Sequence, residues 1–292
     1  MVKSYKNGSY RVDINTETGT RVIIGDPRYP EFPDSIDLKI TDRCQYGCPF
    51  CSESSGPSGR HASLQDITRF FDRNFPIVPI EIAVGGGSVS ENPEFTEIIK
   101  YLVDRGFIVN VTMSIPEALK TDLTQAGISG LGISLGDASW WTGDLVQVPG
   151  PKQIVYHAIA GITPVPVIQE LLRLDQRVLV LGYKNRGRAL VHELPEMSDL
   201  EVAVKSWIHD SSENKTGTLA FDCLGAEQLK IPGAILEKDW DVLWQGKDFT
   251  HTMFIDAVTG TLCPNSSVDR SLGVHSTDVL SYFKENHDTN IN

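Results

Sequence analysis

The chain has 292 residues, and its 26 Lys+Arg against 38 Asp+Glu leave a net charge of −12. With 40 % hydrophobic and 22 % charged residues it can bury a core as one large domain or two small ones, which excludes wholesale disorder. No window reaches the ~18 consecutive apolar residues of a membrane span, and Met1–Gly8 has no apolar signal-like stretch, so a cytoplasmic protein is expected; the acidic balance argues against a grip on duplex nucleic acid.

In chain order, residues 9–24 alternate around Glu17-Thr18-Gly19 and read as a β-hairpin. Residues 25–33 carry three prolines and interrupt regular structure. Strand and helix then alternate. Ile36–Thr41 is a strand, followed by a cysteine-rich loop and a helix over Ser63–Asn74 with Ser63 as N-cap. Ile80–Val84 is a strand ending in Gly85-Gly86-Gly87, and Pro93–Arg105 a helix stopped by Gly106. Strand Phe107–Met113, helix Pro116–Gln125 and strand Leu131–Leu135 come next. Strand Ile154–Ala160, helix Pro166–Leu174, strand Arg177–Tyr183 and helix Ser198–His209 complete the series. Six strands, all but the fourth followed by a clear helix, argue for a parallel sheet in an α/β fold, an incomplete (βα)6 TIM-type barrel. Beyond it, Thr218–Cys223 reads as a short strand and Thr252–Cys263 as a second hairpin. The expected division is an N-terminal hairpin extension over 1–35, the barrel over 36–215, and a C-terminal α+β extension over 216–292 covering the barrel opening.

Cysteine usage is the sharpest signal. Three of the five cysteines, Cys44, Cys48 and Cys51, fall within eight residues, and an odd total without an export signal does not read as a disulfide framework. Thiolates at such spacing bind soft metals or iron–sulfur clusters from one loop. Three ligands suit a 4Fe-4S cluster with one iron open to an exogenous ligand. Zinc would want a fourth ligand, and the nearest candidate is His61. A non-catalytic iron–sulfur or zinc-binding module is the alternative to an enzyme.

The run Cys44-Gln-Tyr-Gly-Cys48-Pro-Phe50-Cys51 after the first barrel strand resembles the cluster motif of the radical S-adenosylmethionine (radical SAM) superfamily, over about residues 36–210. The resemblance implies a 4Fe-4S cluster on the three cysteines, with S-adenosylmethionine on the fourth iron. Its reductive cleavage would give methionine and a 5′-deoxyadenosyl radical that abstracts hydrogen from substrate. An electron donor such as flavodoxin or ferredoxin is implied as partner. After the second strand the superfamily shows Gly-Gly-Glu-Pro; here Gly86-Gly87-Ser88 stands in that place, with Asn92-Pro93 fixing the register and Ser88 replacing the acidic residue.

Barrel active sites gather at the C-terminal strand ends. The resemblance implies that such positions and the two motifs contact S-adenosylmethionine, which makes Phe50, Gly86, Gly87, Ser88, Ser114, Ser134, Tyr183 and Lys184 candidate cofactor contacts, with Thr112 and His157 beside them. Cys223 is a candidate hydrogen-atom donor or substrate contact, or simply a small buried hydrophobe like Cys263. Lys184, Arg186 and Arg188 form a compact basic cluster, read either as solvated or as holding one carboxylate or phosphate. Together these features favour a small polar, peptidyl or nucleotide substrate.

Overall fold

The computed structural model describes residues 1–16, 20–76, 78–124, 126–141, 151, 153–193, 195–209, 217–243, 250–267, 273 and 278–290. The chain opens with three antiparallel strands, β1 (Val2–Asn7), β2 (Tyr10–Asn15) and β3 (Arg21–Gly25), in the order β1-β2-β3. The hairpin read from alternation is β2–β3, while β1 was not anticipated; the Glu17–Gly19 turn lies outside the described residues. Gly8 turns β1 into β2 at φ +57, where a Cβ would meet the Tyr29 carbonyl oxygen at 2.1 Å.

Seven parallel strands follow: β4 (Ser35–Thr41), β5 (Glu81–Gly86), β6 (Ile108–Ser114), β7 (Gly130–Gly136), β8 (Gln153–Ile159), β9 (Arg177–Leu181) and β10 (Thr218–Phe221). The sheet order is β10-β9-β8-β7-β6-β5-β4-β11-β12, where β11 (Thr252–Asp256) runs parallel to β4 and β12 (Thr261–Cys263) antiparallel to β11. The architecture is thus the expected α/β partial barrel. The segment after residue 216 supplies strands at both edges of its sheet.

The connecting helices are α1 (Leu64–Asn74), α2 (Phe95–Asp104), α3 (Ile115–Ala118), α4 (Val165–Arg173) and α5 (Ser198–His209), with α6 (Cys223–Gln228), α7 (Glu237–Leu243) and α8 (Val279–Asn290) after them. Ser63 caps α1 as expected, accepting from the Asp66 N–H at 3.1 Å. The helix expected over 116–125 ends instead at Ala118. The Thr121 hydroxyl donates to the Glu117 carbonyl and Asp122 Oδ1 accepts from the Thr124 N–H and O–H, local bonds that replace the helical ladder. No helix among the described residues is long and apolar enough to cross a membrane.

Strand alternation divides inside from outside. In β4, Ile36, Leu38 and Ile40 are buried against the helices, while Asp37, Lys39 and Thr41 face the other way. In β7, Gly130, Gly132 and Ser134 line the interior, while Leu131, Ile133 and Leu135 join the outer core. Fully covered parallel strands usually read as continuous apolar runs, and TIM-barrel interiors are filled by branched side chains. Here the inward residues of β4, β5 and β7 are small or polar, and the barrel encloses a cavity of about 1960 Å³.

At the N-terminal end of β4 and β11, Asp34 is wholly buried and fastens the three-stranded sheet to the barrel. It accepts from the Tyr5 hydroxyl at 2.8 Å, the Tyr10 hydroxyl at 2.6 Å and Asn7 Nδ2 at 2.8 Å, and lies 3.2 Å from His251 Nδ1. Burial pushes its carboxyl up, but the bonds from His251, Tyr10, Asn7 and Tyr5 outweigh burial and hold it below the usual carboxylate value. A folded-state value below the unfolded one adds stability above the unfolded pKa of about 4, lost as pH falls through the folded value. Asp34→Asn should therefore lower unfolding free energy at pH 7 by about 1.5–3 kcal/mol, and the gap to wild type should close below about pH 4. Urea unfolding across pH measures both.

Candidate active site

β4 delivers the chain into a closed loop over residues 42–62. The Asp42 N–H donates to the Arg60 carbonyl (2.8 Å), the Cys44 N–H to the Gly56 carbonyl (3.0 Å) and the Ala62 N–H to the Ile40 carbonyl (2.9 Å), so the loop returns to its own origin. The Gly/Ser-rich stretch serves this closure, since a Cβ at Gly59 would lie 2.2 Å from the Asp42 carbonyl. Cys44, Cys48 and Cys51 are all free and half-buried on this loop. Burial, then the neighbouring Cys51 and Cys44, pushes the Cys48 thiol up, so the three sulfurs share one electrostatic neighbourhood that positive iron would relieve. His61 Nδ1 lies 2.8 Å from Thr41 Oγ1, and among the described residues no three His, Cys, Asp or Glu side chains converge on one metal ion. Three thiolates from one loop are a donor set that a 4Fe-4S cluster takes, each thiolate on its own iron.

Charged side chains hold the loop to the barrel. Lys39, 5 % exposed, sits with Nζ 2.5 Å from Asp42 Oδ1, 2.9 Å from Glu53 Oε2 and 3.0 Å from Asp256 Oδ2. Those carboxylates come from the end of β4, the cysteine loop and β11. Arg186 pairs with the other oxygen of Glu53. Arg188 donates from Nε to the Cys48 carbonyl at 3.0 Å and from Nη1 to the Ser55 carbonyl at 2.7 Å, and its own N–H reaches the Cys51 carbonyl at 3.0 Å. The Lys184-Asn-Arg186-Gly-Arg188 cluster is thus neither a solvated loop nor a ready anion site: both arginines are engaged by the cysteine loop. Lys184 Nζ donates to Ser266 Oγ and borders the cavity.

The glycine run after β5 is fitted against the same loop. The Gly87 N–H donates to the Thr41 carbonyl (2.8 Å) and the Ser88 N–H to the Arg43 carbonyl (2.7 Å). A Cβ on Gly86, at φ +132, would meet the Thr41 carbonyl oxygen at 2.4 Å, and one on Gly87 the Arg43 carbonyl oxygen at 2.0 Å. Only Gly85 and Gly86 border the cavity, and Gly85 has open space where its Cβ would be. Ser88 is buried, with its hydroxyl 3.6 Å from Cys44 Sγ. Glu91, three residues on, takes Arg43 Nε at 2.8 Å, and buried Glu117 accepts from the Ser90 N–H and O–H.

The other candidates divide. Ser114 and Ser134 are register partners at the ends of β6 and β7, and Ser134 pairs in turn with His157. A Cβ on Gly132 would lie 2.5 Å from His157 Cε1 and 3.0 Å from Thr112 Oγ1, so the imidazole lies across a strand kept bare for it. Burial, helped by the charge of Lys184, lowers the His157 pKa to about 4 and keeps the ring neutral at physiological pH. The Phe50 ring packs at Gly136 and edge-on to His192, 6.5 Å between centroids. Tyr183 is buried, its hydroxyl donating to the Ala189 carbonyl, so its side chain supports the 186–190 turn away from the cavity. Cys223 opens α6 at the end of β10 and borders the cavity, whereas Cys263 is buried in β12. Sequence reading missed Lys39, Glu53 and Asp256; the one available signal was a lysine at an inward position of a barrel strand.

No family model matches the sequence. The PqqA peptide cyclase of Ruegeria pomeroyi is 23 % identical over 221 residues, 65 % of this chain and 58 % of that protein, so the chain spans under two thirds of the curated relative it matches. Streptococcus suis SuiB bound to S-adenosylmethionine superposes at a TM-score of 0.59 and 12 % identity, over 99 % of this chain and 86 % of that one. SuiB bound to its precursor peptide SuiA gives a TM-score of 0.60 at 12 % identity, over 100 % and 87 %. At these identities the likeness shows a shared fold, and within it the run Cys44-x3-Cys48-x2-Cys51 stands after the first barrel strand.

Proposed function

We propose that the protein is a radical SAM enzyme that cleaves S-adenosylmethionine reductively and abstracts a hydrogen atom from a peptidyl or other small polar substrate. The observation that carries this reading is the placement of three half-buried cysteines on a loop at the C-terminal mouth of a hollow parallel barrel. Cys44, Cys48 and Cys51 would hold a 4Fe-4S cluster, and that group would supply the electron for reductive cleavage of S-adenosylmethionine.

The chain's own residues supply binding, orientation and shielding. Lys39, Arg186 and Arg188 hold the loop in one arrangement. Gly85 and Gly86 leave room for a ligand beside it, and Ser114, Ser134 and Lys184 offer polar groups around the mouth; Phe50 supplies an apolar face. His157 gives a neutral imidazole for a substrate hydrogen bond, and Cys223 stands on the far wall as a hydrogen-atom donor or substrate contact. The cavity exceeds the roughly 300–1,000 Å³ of common small-ligand sites, which leaves room for S-adenosylmethionine and a substrate segment together. A peptide is favoured because a peptide cyclase and a protein solved with its precursor peptide are among the relatives. The reaction belongs in the cytoplasm, where thiols stay reduced, with flavodoxin or ferredoxin as donor.

Anaerobic iron–sulfide reconstitution, then dithionite and S-adenosylmethionine, should release 5′-deoxyadenosine, and peptide substrate should raise the yield. A loaded protein that leaves S-adenosylmethionine intact would contradict the reading. Alanine at Cys44, Cys48 or Cys51 should each abolish the visible cluster absorption, and alanine at Cys223 or Cys263 should not. A second outcome separates the glycines by iron analysis: Gly87→Ala should lose most of its iron because the new Cβ strikes the Arg43 carbonyl, while Gly85→Ala should retain it. Arg188→Ala, which releases the Cys48 and Ser55 carbonyls, should lower iron retention under chelator several-fold in a chain that stays folded by circular dichroism.

A further inference from the structure

Ser88 stands at the N-cap position of the short 3-10 turn Val89–Glu91, where a serine ordinarily turns its hydroxyl onto the turn's own N–H groups. Here it makes no such bond. Its backbone is fixed by the 2.7 Å bond from its N–H to the Arg43 carbonyl, one residue before Cys44, and the residue is 2 % exposed. The hydroxyl lies 3.6 Å from Cys44 Sγ. Among the described residues Cys44 is the one motif cysteine whose sulfur receives a side-chain hydrogen bond.

We propose that Ser88 tunes the reduction potential of the cluster by donating a hydrogen bond from Oγ–H to the Cys44 sulfur, a role that rests on Cys44, Cys48 and Cys51 being the cluster ligands. One electron from an external reductant increases the negative charge shared by the ligating sulfurs. A donor on one of them is bound more strongly after reduction than before, so it raises the potential. No proton leaves Ser88. Burial strengthens the effect by keeping competing water and high dielectric away. The chemistry also gives a reason for Ser88 where the resembled motif has an acidic residue: an ionised carboxylate cannot donate and would repel the thiolate, whereas a hydroxyl donates.

The test compares anaerobically reconstituted wild type, Ser88→Ala and Ser88→Thr by iron content and by redox titration with dithionite, followed by electron paramagnetic resonance. Ser88→Ala should keep its iron while its ratio of reduced to oxidised cluster at fixed potential falls about three- to tenfold, a shift of about 30–60 mV to more negative potential at 59 mV per tenfold for one electron. Ser88→Thr, which keeps the hydroxyl, should titrate with wild type. Equal potentials in iron-loaded wild type and Ser88→Ala, or a shift as large in Ser88→Thr, would overturn the proposal. Resonance Raman of the wild type keeps the test decisive if the alanine variant sheds iron: exchange into D2O should shift an Fe–S(cysteine) stretch, and no shift would overturn it. A wild type that never takes up iron would instead overturn the functional reading itself, and this role with it.

Discussion

One buried ammonium organises the mouth of this barrel. An isolated lysine at 5 % exposure would carry a large desolvation penalty, and Lys39 answers it with three carboxylates from three separate stretches of chain. Glu53 is shared with Arg186, which follows β9 on the far side of the sheet. The network therefore ties β4, the cysteine loop, β11 and the segment after β9 into one arrangement. Networks of this kind add little net stability over an apolar replacement; removing one partner is costly because the remaining charges stay buried. Their contribution is geometry: a loop with three sulfurs is held against the glycine run, with Arg188 and the Gly87 and Ser88 amides as further ties.

The hollow interior depends on the opposite tactic, leaving things out. Small or polar residues face inward on β4, β5 and β7, and the aliphatic partners on alternate positions build the outer core with α1, α2 and α4. Gly132 is bare because His157 covers it. At the barrel's other end, Asp34 gathers Tyr5, Asn7, Tyr10 and His251, so the N-terminal sheet is joined by a satisfied polar knot. The two ends thus rest on buried charged groups, Lys39 and Asp34, each held by several partners, with the cavity between them.

Much of this was legible in the sequence because it is local. The Cys44-x3-Cys48-x2-Cys51 spacing, the Ser63 cap and the strand–helix alternation each arise within a few residues, and α5 falls on the expected Ser198–His209. The illegible parts depend on residues far apart in the chain. Arg186 and Arg188 read as a basic cluster, either solvated or holding an anion, because their partners, Glu53 and the carbonyls of Cys48 and Ser55, lie over 130 residues away. Residues 177–183 looked like one strand, yet the Gly182 and Tyr183 N–H groups turn to Asp222 and Gln228 and the strand stops at Leu181. The second hairpin was visible as β11–β12, but its parallel pairing with β4, which brings Asp256 to Lys39, was not.

The function of the cysteine loop turns on where iron binds. Iron-edge anomalous diffraction from anaerobically reconstituted crystals locates it without reference to activity. One compact four-iron peak should lie within bonding distance of the Cys44, Cys48 and Cys51 sulfurs, its open side facing the cavity bordered by Gly85, Gly86 and Ser134. Iron bound at Cys223 or Cys263, or a single ion held by the loop together with His61, would contradict it.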